Sequence, residues 1–186
     1  MVYARFIDLR KAFDSVLHPA LLFKLVEAGV GGTFLSVLKS MYGNIELRVR
    51  LDTISLSDVF SSSVGVFQGD NLIPNHFNIF INDMTKLFDS SCCPVSLGSR
   101  LLNSLLYADD LFLLSESAEG LQNCMNKVYS YCLNWGLAIN YNKSKVMIFN
   151  KSGRMISRKF YINDKSIESV YQYTYLGVLV DLNARG

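Results

Sequence analysis

The stretch that most constrains the fold is Leu105-Leu106-Tyr107-Ala108-Asp109-Asp110-Leu111-Phe112-Leu113-Leu114, two adjacent carboxylates between apolar runs. Apolar, strand-forming flanks around a short polar tip predict a β-hairpin that holds Asp109 and Asp110 at its turn. Adjacent carboxylates repel, and a cation between them or solvent around them relieves the repulsion. A solvated turn would bring Gly, Asn or Pro with the acids. Ala108 and the Leu/Phe flanks instead predict a buried hairpin with an exposed tip, a place suited to a metal ion.

A chain of 186 residues that is 50% hydrophobic can bury one sizeable core. Its four cysteines, Cys92, Cys93, Cys124 and Cys132, lack the spacing of a zinc site. They read as free thiols of a reducing compartment inside the cell. His18 and His76 stand alone, where a histidine is seldom a metal ligand. No apolar run approaches the roughly 18 to 20 residues of a spanning helix, no signal-peptide pattern opens the chain, and no membrane partner is expected. The net charge of +2 is uninformative, but its distribution is not: Lys143 to Lys165 carries seven Lys and Arg against Asp164. Such a run is commonly a solvated face, and it is also what tracks a phosphate backbone.

In chain order, Val2 to Leu9 predicts a strand ending near Asp8, a position where an Asp is commonly a turn or cap residue. His18 to Ala28 predicts a helix stopped by Gly29, and Phe34 to Tyr42 another, capped by Thr33. Alternation from Ile45 to Leu51 predicts a half-buried strand that turns at Asp52-Thr53 into a second, running through Phe60. The loop Gly65 to Pro74 feeds a helix with Phe77, Phe80, Ile81, Met84 and Leu87 on one face. Ser117 caps the clearest helix, with Leu121, Cys124, Met125, Val128, Tyr131, Cys132 and Trp135 on its apolar side up to Gly136. Lys145 to Phe149 reads as a strand, Phe160 to Val170 as a hairpin turning at Asn163-Asp164, and Tyr173 to Val180 as a strand around Gly177. This mixture predicts an α+β layer, with helices packed on one face of a mostly antiparallel sheet.

These pieces resemble the reverse transcriptase domain of non-LTR (LINE-type) retrotransposons over nearly the whole chain, in the family's order. Phe6-Ile7-Asp8-Leu9-Arg10-Lys11-Ala12-Phe13-Asp14 is similar to its first palm motif, and Gln68-Gly69-Asp70-Asn71-Leu72-Ile73-Pro74 to its QGxxLSP loop. Tyr107-Ala108-Asp109-Asp110 is similar to the YxDD hairpin, Leu137 to Phe149 to the GLxxNxxKT-like motif, and Tyr175-Leu176-Gly177-Val178 to the YLG element. The loop departs from the pattern at Phe67, where Pro is usual, and at Ile73, where Ser is usual.

The resemblance implies a polymerase-type palm in which the Asp of the first motif meets the hairpin pair. It implies RNA-directed DNA polymerase activity: two-metal nucleotidyl transfer from a dNTP to a primer 3′-OH on an RNA template, in retrotransposition. Two Mg²⁺ ions about 3.5 to 4 Å apart, for which Mn²⁺ can substitute, would be held by Asp8 and Asp109 as bridging ligands and by Asp110 beside them. Phe13, five residues after Asp8, matches the aromatic that selects dNTP over rNTP, with a plain core position as the other reading. Leu9, Arg10, Lys11 and Ala12 would present backbone N–H groups to the triphosphate. Gln68 and Gly69 would lie against the template and the nascent pair, and Lys143, ahead of Lys145, near the leaving phosphate.

The family's fingers precede its first palm motif and its thumb follows the YLG element. Residues 1–186 therefore read as a palm fragment. The other expectation is a truncated, non-catalytic remnant that at most binds nucleic acid through the basic stretch.

Overall fold

The computed structural model of the chain describes residues 1–66 and 73–182. In chain order they form β1 (Val2–Asp8), α1 (His18–Glu27), α2 (Gly32–Gly43), β2 (Glu46–Leu47), β3 (Phe60–Ser61), α3 (Ile73–Asn82), β4 (Val95–Leu97), β5 (Arg100–Leu102), β6 (Ser104–Tyr107), β7 (Asp110–Ser115), α4 (Ala118–Trp135), β8 (Lys145–Phe149), β9 (Phe160–Ile162), β10 (Lys165–Ile167), β11 (Gln172–Tyr175) and β12 (Val178–Asp181). The chain divides into two compact units, Met1–Arg10 with Asp83–Gly186, and Lys11–Asn82.

The first unit is built on an antiparallel sheet of order β6-β7-β1-β8. Successive side chains of a strand point to opposite faces, and β1 uses both. Arg5 and Ile7, with Leu111 and Leu113 of β7 and Val146 of β8, are buried on one face. The nearly continuous burial of β1 is what a strand covered on both sides requires.

Helix α4 covers that face. Its buried positions are Ala118, Gly120, Leu121, Cys124, Met125, Val128, Tyr131 and Cys132, the periodic stripe the sequence displays. Both ends are capped as expected. The Ser117 hydroxyl accepts from the Gly120 N–H at 2.9 Å, and Gly136 takes the left-handed conformation (φ 71°) that ends the helix. The first turn also packs closely against backbone: a Cβ on Gly120 would lie 2.6 Å from the Cys92 carbonyl oxygen and 2.5 Å from Ser115 Oγ.

The opposite face is covered as well. Ala4, Phe6 and Met147 form a core with Leu182, flanked by Phe112, Leu114, Tyr173, Tyr175 and Val180. The cover is the hairpin β11–β12, where the sequence predicts a single strand through Gly177. Leu176 and Gly177 both adopt positive φ (48° and 78°) and turn the chain back on itself. A second hairpin, β4–β5, turns at Gly98 (φ 61°).

In the second unit α3 buries Phe77, Phe80 and Ile81, and Leu21, Leu25 and Leu38 of α1 and α2 are buried too. Helix α2 starts one residue before Thr33, with Gly31 rather than Thr33 at the cap position. The long strand pair expected between Ile45 and Phe60 shrinks to β2–β3 and one Arg50–Leu56 bridge. Its turn is where the sequence puts it, with Asp52 Oδ1 accepting the Ile54 and Ser55 N–H groups at 2.7 Å. Leu51 and Ile54 are 66% and 93% exposed, so burial does not support the pairing that alternation alone suggests.

Candidate active site

Asp8 is the last residue of β1 and Asp110 the first of β7, and the antiparallel register pairs them directly. Directly opposed residues share a face, with Cβ atoms about 4.5 to 5.5 Å apart. The register is fixed two rungs inward, on the same face, where Phe6 pairs with Phe112 at a ring separation of 4.8 Å. A slip of one residue would turn every core side chain of the strand to the wrong face. The aromatic core thereby sets where the two carboxylates stand.

Asp109 lies in the two-residue turn between β6 and β7, after Ala108 in the left-handed conformation (φ 51°). The hairpin is thus the predicted one, with a difference in burial. β7 is half sunk in the core, whereas the edge strand β6 leaves Leu105 47% and Tyr107 66% exposed. The three carboxylates are half-buried. The Asp110 carboxyl is pushed above its ordinary value, first by burial and then by the charges of Asp109 and Asp8, with Lys143 pulling it back.

Lys143 supplies the positive charge here, its Nζ 3.6 Å from Asp8 Oδ1. The segment that carries it is tied to β1. The Asn140 N–H donates to the Asp8 carbonyl at 2.8 Å, and the Arg10 N–H to the Ala138 carbonyl at 2.7 Å. The Asp8 N–H donates to the buried Ser144 hydroxyl at 3.3 Å. Asn140 Oδ1 also accepts from the Lys143 N–H at 3.4 Å, and the Tyr173 hydroxyl donates to the Lys143 carbonyl at 3.2 Å. Asn140, Ser144 and Tyr173 are positioning residues that the sequence reading did not single out. The available signal was an Asn three residues before the Lys, the spacing at which a short polar side chain caps a turn.

Beneath the carboxylates lies an aromatic floor. Phe6 stacks on Tyr173 at 4.4 Å and lies 5.4 Å from Tyr175, which is 5.7 Å from Phe112. Both tyrosine phenols are pushed upward, first by burial and then by the Asp110 charge.

Among the described residues, no three His, Cys, Asp or Glu side chains converge as a ready-made metal cage. The donor set nevertheless suits a hard cation. Mg²⁺ keeps much of its water and takes only one or two carboxylates, and like charges facing across a rung cost energy that a cation recovers.

The remaining expected site residues fall in different places. Leu9 is buried and bridged to Ile139, and the Arg10 N–H is already engaged as described. In the second unit Lys11 is exposed with φ 48°, Ala12 is buried, and the half-buried Phe13 packs on Phe77 at 4.5 Å. Gln68 and Gly69 lie outside the described residues. His18 Nε2 is hydrogen-bonded to the Gly65 carbonyl at 2.7 Å, and His76 Nδ1 to the Tyr42 hydroxyl at 3.0 Å. All four cysteines are free thiols, and no described helix is long and apolar enough to cross a membrane. The basic stretch is partly neutralised within the fold: Lys145 pairs with Glu168, Arg158 with Glu119 at 2.7 Å, and Lys165 lies 4.4 Å above the Tyr141 ring.

Residues 2–180 match the family model described as reverse transcriptase (RNA-dependent DNA polymerase). The chain is 28% identical over 182 residues to the RNA-directed DNA polymerase from mobile element jockey of Drosophila funebris, covering 95% of this chain and 19% of that protein. It is 29% identical over 189 residues to the probable RNA-directed DNA polymerase from transposon BS of Drosophila melanogaster, covering 96% of this chain and 20% of the relative. The chain thus spans about a fifth of the length of these relatives. The fold is similar to that of telomerase from Candida tropicalis, solved in complex with a TWJ fragment of telomeric RNA, with TM-score 0.68, 16% identity, and coverage of 97% of this chain and 28% of that one.

Proposed function

Because the chain belongs to the reverse transcriptase (RNA-dependent DNA polymerase) family, we propose that Asp8, Asp109 and Asp110 are the carboxylates of a nucleotidyl-transfer site that extends a DNA primer on an RNA template. The observation that carries this reading is the Asp8–Asp110 rung with Asp109 beside it, hard oxygen donors from two strands and a turn. Asp8 and Asp109, with Asp110 as the less indispensable ligand, would hold two Mg²⁺ ions, for which Mn²⁺ would substitute. Bound there, the ions would supply Lewis acidity for the primer 3′-OH and positive charge for the departing pyrophosphate.

In the reaction the 3′-oxygen bonds to the α-phosphorus of the dNTP while the bond from that phosphorus to the pyrophosphate oxygen breaks. The chain's own contribution is placement. The Phe6–Phe112 rung holds the carboxylate backbone in one register, and the hydrogen bonds of Asn140 and Ser144 hold the Lys143 turn against Asp8. Lys143 offers positive charge to the triphosphate. Phe13, its ring braced by Phe77, is assigned exclusion of a ribose 2′-OH, and Lys11 and Ala12 contact with the triphosphate through their backbone. Gln68 and Gly69 are assigned to the template and the nascent pair.

The test is extension of a primer on an RNA template with Mg²⁺ and dNTPs, comparing the chain with its Asp109→Ala variant. Extension by the parent and none by the variant is expected. Extension that survives the substitution would remove Asp109 from the site. Absence of extension by both would support the other reading, a non-catalytic chain that binds nucleic acid.

A further inference from the structure

We propose that Lys143 is a resident counter-ion, whose ammonium partly offsets the charge of the Asp8–Asp110 rung in the metal-free protein and must leave Asp8 before a divalent ion is held there. The proposal rests on the metal-binding reading above and adds what fills the same electrostatic role when no metal is bound.

Asp8 and Asp110 are opposed like charges on neighbouring strands, with Asp109 adjacent in sequence to Asp110. Such a rung is unfavourable without a positive charge near it. Lys143 Nζ lies 3.6 Å from Asp8 Oδ1, one of the carboxylates assigned to the metal. Its charge also reaches Asp110, whose carboxyl it pulls toward the ionised form.

The lysine is built to do this reversibly. Its backbone is fixed, with the N–H on Asn140, the carbonyl under the Tyr173 hydroxyl, and Asn140 and Ser144 bonded to Asp8. Its side chain is 69% exposed, whereas that of Asp8 is only 20% exposed. A fixed base with a solvated head is a tether, since the ammonium reaches the carboxylate and swings off without disturbing the fold. An ion pair this exposed is weak, and a divalent cation readily outcompetes it. Lys145, two residues on, is not equivalent, because its ammonium is engaged by Glu168.

The test measures binding of Mn²⁺ alone, by electron paramagnetic resonance of the free ion, to the parent chain and to the Asp109→Ala, Lys143→Met, Lys143→Arg and Lys145→Met variants. The parent should bind saturably and Asp109→Ala should not. Lys143→Met should bind about two- to fivefold more tightly than the parent, the equivalent of one exposed ion pair, with Lys143→Arg and Lys145→Met close to the parent.

A second readout is the NMR signal of the Lys143 ε-methylene during titration with Mg²⁺. It should move toward the position of a freely solvated lysine, while that of Lys145 stays in place. If the parent binds saturably but Lys143→Met binds equally or less tightly, or the Lys143 signal does not move, the counter-ion role is overturned and the metal site stands. If no protein binds Mn²⁺ saturably, the metal reading itself falls and takes the counter-ion role with it.

Discussion

Asp8 and Asp110 face each other directly across β1 and β7, so the site is assembled at a rung whose like charges cost the fold stability. The Asp110 carboxyl is raised by burial, Asp109 and Asp8. A raised carboxyl means that the folded chain binds more protons than the unfolded chain just above the ordinary value of 3.8. Its contribution is therefore most favourable in acid and is lost as pH rises through the raised value. Asp110→Asn should make the metal-free protein more stable by about 0.2 to 1 kcal/mol near neutral pH. The gain should fade below pH about 4, and primer extension should fall sharply. Denaturant melts at several pH values, beside an extension assay, check both halves.

Gly120 shows that a good helix residue can be the wrong one. Within α4, Ala is favoured over Gly by about 1 kcal/mol on propensity alone. The added methyl, however, would meet the Cys92 carbonyl at 2.6 Å and Ser115 Oγ at 2.5 Å. A hydroxyl can rotate away, but backbone must shift. Gly120→Ala should destabilise by about 1 to 3 kcal/mol, read as a lower urea midpoint with an unchanged slope.

Arg5 is a buried cation with little compensation. It is fully buried on the β1 face covered by α4, and among the described residues its Nη1 donates only to Met125 Sδ at 3.6 Å and its Nε and Nη2 have no hydrogen-bond partner. Burial lowers the guanidinium well below its ordinary value, to about 9, so near neutral pH it stays charged and the fold carries the desolvation penalty. Arg5→Met keeps a long, flexible apolar stem and removes the charge. The variant should gain at least about 1 kcal/mol, visible as a higher thermal midpoint.

Asp89 makes the opposite kind of contribution. Its carboxylate pairs with Lys127 at 2.6 Å and accepts the Ser91 N–H at 2.9 Å, and it is held down to about 2 by the Lys127 and Ser91 hydrogen bonds. A depressed carboxyl contributes stability above its unfolded value that is lost as pH falls through the folded one. Asp89→Asn, which keeps an acceptor for Ser91, should be slightly less stable than the parent at pH 7. The two melting curves should converge between about pH 4 and 2.

The parts of this fold legible in sequence are those where one local signal decides. Ser117 and Gly136 bracket α4 because a capping hydroxyl and a left-handed glycine act within a turn. The Asp109-Asp110 hairpin and the strand Lys145–Phe149 follow from apolar runs with clear stops. What was hidden depended on distant partners. Alternation from Ile45 to Leu51 predicts a half-buried strand, yet Leu51 and the nearby Ile54 stand largely exposed. The turn at Leu176-Gly177 required a non-glycine residue at positive φ, which residue type does not announce. At the site, the motifs gave the carboxylates and Lys143, but the meeting of Lys143 with Asp8 rests on backbone hydrogen bonds spanning the length of the unit.

The Phe6–Phe112 rung beneath Asp8 and Asp110 separates shape from chemistry. Two rings in the core dictate where the carboxylates sit, and the carboxylates give nothing back to that core. Replacing one oxygen by nitrogen on Asp110 would weaken the proposed reaction and leave the architecture as sturdy as before, or sturdier. In a lineage released from selection, the silhouette of a polymerase would therefore outlast its catalysis, and an inherited outline would testify to ancestry long after the chemistry had lapsed.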